Sequence, residues 1–179
     1  GGLRMVILYE IIKMITFPGA LLKGFLEHLF CRLWKVPVEY SDYMQRNELC
    51  GHVEHLLAPH KGSFAICFGP HIIMALLGCI IAFPGAMNLF YIGTFNWLSV
   101  ILLYVGVSFL SNAFPLVEDA LNMWSELFSE ESKGISKVLL AIPAAIMLCG
   151  SYLERYCVSF LTSIAFAYAL PWIVALIVG

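Results

Sequence analysis

Charge is scarce in this chain. Only 12% of its 179 residues are Asp, Glu, Lys or Arg, where an ordinary soluble domain carries about 25%. With 61% hydrophobic residues and a mean hydropathy of +0.88, the sequence cannot cover a globule with polar surface. That excludes a freely soluble domain and predicts one integral membrane domain over residues 1–179, with the lipid bilayer as its first partner. Basic clusters are missing as well. The net charge is −2 and the pI about 6.2, with no Lys/Arg run of the kind a nucleic acid needs, so no nucleic-acid partner is expected. Cysteine is present, but in no ordered spacing. Cys31, Cys50, Cys67, Cys79, Cys149 and Cys157 form no CxxC pair, which excludes a disulfide framework and a zinc knuckle. Most sit in apolar stretches, where free cysteine acts as a small hydrophobe. Internal repeats and a signal-cleavage pattern are also missing.

What is there reads as a series of apolar segments. Leu3 to Thr16 carries Arg4, Glu10 and Lys13 and falls short of the ~20 residues a spanning helix needs. Pro18 and Gly19 interrupt it, and Ala20 to Trp34 resumes as a helix that ends at Arg32 and Lys35. The two pieces read as one broken span, or as an interfacial helix followed by a short one. Over 36–61 the pattern changes. PVEYSDYMQ alternates with the period of a strand, GHVEHLLA supplies a partner, and RNELC is the turn, which predicts a small β-hairpin. A helix from Asn47 to Leu57 is the competing reading.

Spans are predicted at Gly62 to Phe83, Asn88 to Leu110, Ile135 to Leu153 and Val158 to Val178, the last kinked by Pro171. Residues 117–131 are amphipathic, with an apolar stripe of Val117, Ala120, Leu121, Trp124, Leu127 and Phe128, and are expected along the interface. The fold class is thus an all-α polytopic membrane protein. It has about four to six membrane segments, a hairpin over 36–61 and an interfacial helix over 117–131. Arg46, Lys61, Lys133 and Lys137 fall on the hairpin side, Arg32 and Lys35 at its border, and only Arg155 opposite. The positive-inside rule makes the hairpin side cytoplasmic.

Four stretches carry chemistry: KGFLEH from Lys23 to His28, GHVEH from Gly51 to His55 with His60 nearby, FGPHIIMALLG around His71, and SNAFPLVEDA around Asp119. On a helix, Glu48, His52 and His55 share a face and can close on a cation. On the preferred strand, His52 and His55 point to opposite faces. His71 reads as a satisfied polar group. Asp119 has two readings, a first-turn helix acid or a carboxylate aimed into the bundle; its spacing favours the first.

The order of motifs is informative. A helix opening Phe17-Pro18-Gly19, a hairpin, a Gly69-Pro70 span and then Asn112-x-x-Pro115 with a later Asp119 resembles the site-2-protease-like intramembrane zinc metalloproteases. The likeness is greatest to a small uncharacterised prokaryotic branch, over residues 16–124. The resemblance implies a bacterial or archaeal cytoplasmic (inner) membrane location. It also implies an HExxH motif at positions 23–27, with two zinc ligands and the base, and a third ligand at Asp119. This chain has Lys23, Gly24, Phe25, Leu26 and Glu27 there, and Asn112 where the branch often has His. His28 is one position off, about 100° round the helix. Glu27 and Asp119 are too few ligands for a catalytic zinc. The resemblance therefore implies a pseudoenzyme without a cofactor that acts, if at all, by binding, either to transmembrane segments of other proteins or as a membrane scaffold. Lys23, Glu27 and Asp119 are expected as a structural charge cluster, the ammonium standing where relatives hold zinc; in a rival reading Lys23 snorkels to the interface. Two alternatives stay open: an active zinc protease with a rearranged site from His28, His52, His55 and Asp119, and an engineered or designed sequence on the same fold.

Overall fold

The structure is a computed structural model that describes residues 2–42, 52–55, 60–129, 134–154 and 156–178. Seven α-helices and two short strands follow one another along these residues: α1 (Gly2–Ile15), α2 (Phe17–Leu33), β1 (Val38–Asp42), β2 (His52–His55), α3 (His60–Ala86), α4 (Trp97–Ser111), α5 (Val117–Leu127), α6 (Gly134–Glu154) and α7 (Val158–Val178). A π-helical turn, Met87–Ile92, prolongs α3. Three stretches are long and apolar enough to cross a membrane: Gly62–Ile92, Lys137–Glu154 and Val158–Val178. The protein is therefore of the all-α membrane type.

The break between α1 and α2 falls at Thr16, whose hydroxyl turns back to the Ile12 carbonyl at 2.8 Å. Pro18 then fits the first turn of α2, where its missing N–H has no helical partner to lose. β1 and β2 pair antiparallel, with Asp42 opposite His52. Residues 52–55 are extended, which removes the helical reading there; RNELC lies outside the described residues.

The expected span from Asn88 to Leu110 is not one helix. Gly93 adopts the left-handed region (φ 75) that ends the π-turn, and the Asn96 side chain accepts from the Leu98 N–H at 3.1 Å to start α4. What remains, Trp97–Ser111, is apolar but only 15 residues long. The stripe expected on α5 also shifts. Ala120, Met123 and Leu127 are its buried residues, whereas Leu121 and Phe128 are exposed. Met123 and Leu127 share a core with Cys67 of α3 and Ala144 and Met147 of α6, so the helix turns the face between these neighbours inward.

Small residues let the central helices approach closely. A Cβ on Gly106 of α4 would lie 2.5 Å from the Ala82 Cβ of α3, and one on Gly19 of α2 would lie 2.0 Å from the Ser108 carbonyl oxygen. α2 runs antiparallel to α3: Leu26 packs with Met74 and Ala113, Phe30 covers Gly69, and Cys31 meets Ile66. α6 climbs along α5, with Gly150 against Phe114 and Glu154 within one lysine's reach of Asn112. α7 then continues the same way along α3. Its Ala167 and Leu170 pack with Ala82, and its Tyr168 and Trp172 meet Phe90 and Tyr91.

Candidate functional site

The stretch from Lys23 to Glu27 lies on the inner face of α2. Lys23, Gly24 and Glu27 are buried while Phe25 points outward, as helical spacing requires. Lys23 and Glu27 are each only 4% exposed. One step round the helix, His28 is half-buried, and Asp119 stands half-buried in the first turn of α5 beside Glu118. α3 brings Cys67 between these elements. Its thiol lies within electrostatic reach of Asp119, Glu27 and Lys23 together, and the thiol of Cys31 feels Glu27 and Asp119. Glu27 and Asp119 both have interaction partners. His71 is a satisfied polar group: its Nδ1 donates to the Ala113 carbonyl at 3.0 Å, and its ring leans on Phe114.

Zinc does not fit the α2–α5 residues. They offer two carboxylates beside an ammonium that repels a divalent ion, and Gly24 has no side chain to act as base. Among the described residues no three His, Cys, Asp or Glu side chains come together as a ligand set. The side chains of His52, His55 and His60 lie outside the described residues, as does Glu48.

A second charged centre is absent from any local sequence pattern. Lys13 of α1 and Glu154 of α6 are buried, 6% and 7% exposed, and their Nζ and Oε1 atoms are 2.5 Å apart. The same ammonium donates to Asn112 Oδ1 at 2.7 Å and lies over the Tyr9 ring, 5.5 Å from its centroid. The Asn112 amide in turn donates to the carbonyls of Ser108 (2.9 Å) and Thr16 (3.3 Å). Ser108 Oγ donates to the Thr16 carbonyl and accepts from the Gly19 N–H. Tyr104 of α4 donates its hydroxyl to the Ile15 carbonyl at 2.6 Å. Three helices, α1, α4 and α6, thus end around one ammonium. A cation belongs there, because helix C-termini carry partial negative charge.

No family model, no curated protein and no solved structure matches the chain.

What each centre can do follows from its own charges. The α2 site places a lysine side chain where a metal site would need another ligand. The junction at Lys13 is balanced, one cation against one anion. The signal for it was present in the sequence as isolated charges, Lys13 inside one apolar run and Glu154 at the end of another. Nothing local says that residues 141 positions apart should meet.

Proposed function

We propose that the protein is a degenerate relative of the site-2-protease-like intramembrane metalloproteases, and that it acts by binding transmembrane segments of other proteins rather than by cutting them. In this reading Lys23 stands in the place of the zinc ion and forms a charge cluster with Glu27 and Asp119 that holds α2, α3 and α5 in register. The strands lie on the cytoplasmic side of a prokaryotic membrane, in keeping with the basic residues near them. One observation carries the reading: Lys23 and Glu27 are both buried one helical turn apart, with Asp119 within reach of the same thiol of Cys67. A lone buried charge among apolar helices is costly, and a paired one is tolerable.

The test restores the motif. Lys23→His, Gly24→Glu and Glu27→His in one protein should bring near-stoichiometric zinc to a purified chain that otherwise carries none. A triple variant that stays empty overturns the alignment. Zinc already bound to the parent and lost on His55→Ala overturns the pseudoenzyme reading in favour of a rearranged site with His28, His52, His55 and Asp119.

A further inference from the structure

The junction around Lys13 has an unfilled side. A cleft opens beside the ion pair, lined by Tyr9, Thr16, Asn112, Glu154, Cys157 and Ser159 among others. The hydroxyls of Thr16, Ser108 and Ser111 all donate to backbone carbonyls. That of Ser159 differs: the residue is 4% exposed and its Oγ has no hydrogen-bond partner. Ser159 lines the cleft, so a turn about its Cα–Cβ bond would bring the hydroxyl to a small polar molecule seated there.

Depth makes the cleft unusual. Asn112 follows directly on α4, and its neighbour Ala113 packs on Met74 of α3. Met74 lies about 18 Å along the helix from Gly62 and about 27 Å from Ile92, inside a stretch long and apolar enough to span. Three helix ends meet at this level, and each leaves backbone carbonyls without helical partners. Tyr104, Ser108 and Asn112 satisfy those of Ile15 and Thr16. Within a bilayer, interrupted backbone is tolerated where it is buried in protein or lines a cavity that holds water.

Charge and hydrogen-bonding capacity define the guest. Lys13 and Glu154 already cancel, so a further ion would bring an uncompensated charge into a buried site. A water molecule needs two to four polar partners, and the cleft wall supplies the Ser159 hydroxyl, the Glu154 carboxylate and Thr16. We propose that this cleft is a water-binding site within the helical bundle, and that the Lys13–Glu154 pair exchanges protons with bulk water through it. It is independent of the reading of the α2 site.

Water-edited solid-state NMR on isotope-labelled protein in phosphatidylcholine vesicles tests it, with bulk water protons as the probe. Magnetisation from water should reach Lys13 Nζ and the Ser159 side chain several-fold faster than it reaches the backbone amides of Ala82 and Ala167, which lie in the core shared by α3 and α7. Ser159→Val, which replaces the hydroxyl with methyl groups, should slow transfer to Lys13 to the rate of those core amides. Build-up at Lys13 no faster than at Ala82, or build-up from lipid methylene protons instead of water, overturns the proposal. So does fast transfer unchanged in a folded Ser159→Val protein.

Discussion

Two buried lysines invite comparison. Lys23 sits one turn from Glu27 on the same helix, so a carboxylate comes with the helix itself. Lys13 finds Glu154 across the bundle, 141 residues away, and finds it only in the folded state. A charge pair within one helix holds that helix's surroundings, whereas a pair between helices holds the fold. The first can decay or be replaced without scattering the bundle. The second joins α1, α4 and α6 where all three stop, and its loss should be felt throughout.

The largest effect should therefore come from the junction. Glu154→Leu leaves Lys13 buried and uncompensated and should cost about 3–5 kcal/mol in reversible unfolding from detergent micelles. Adding Lys13→Met should recover most of that loss. A double variant as unstable as the single one would break the comparison, since the pair would then be more than a balance of charges. Next comes Gly19→Ala, expected to cost about 1–3 kcal/mol by thermal unfolding, because its Cβ would meet the Ser108 carbonyl oxygen at 2.0 Å and backbone cannot step aside. Lys23→Met should cost about 1.5–3 kcal/mol, the worth of a charged hydrogen bond; no measurable loss would mean that Lys23 is outside the proposed cluster. Tyr104→Phe, which deletes the 2.6 Å bond to Ile15, should cost about 1 kcal/mol. Ser159→Ala should lower stability least, because that hydroxyl bonds no protein group.

The same contrast explains what the sequence could tell. Hydropathy marks helices that face lipid, so the membrane class and the segments ending in α6 and α7 were legible. Local chemistry was legible where it was read. Pro18 and Gly19 marked the α1–α2 break, and the alternation around 52–55 marked a strand. Gly93 and Asn96 carried the break before α4 too, but the apolar residues around them, Phe95, Trp97 and Leu98, hid it in a long hydrophobic run. The stripe of α5 was misjudged for another reason. Helical period fixes which residues share a face, but neighbours decide which face is buried, and α5 has α3 on one side and α6 on the other. The direction of α7 was illegible altogether. Nothing in Val158–Val178 says whether it folds back along α6 or travels on; the packing of Ala167 on Ala82 and Trp172 on Tyr91 decides it.

Among the described residues, α1, α4 and α6 stop near the level of Met74 and α7 begins there, while α3 runs on past it. The molecule is built as two storeys on one column. The lower storey holds α5 and α6, the upper one α4 and α7, with α2 reaching from one to the other, and Pro70 sits in the column just below the landing, where it lacks the N–H that would bond the Ile66 carbonyl, which makes the shaft easier to bend. A tilt of one storey on the other would pivot about that point, and the Lys13–Glu154 clasp is what resists it.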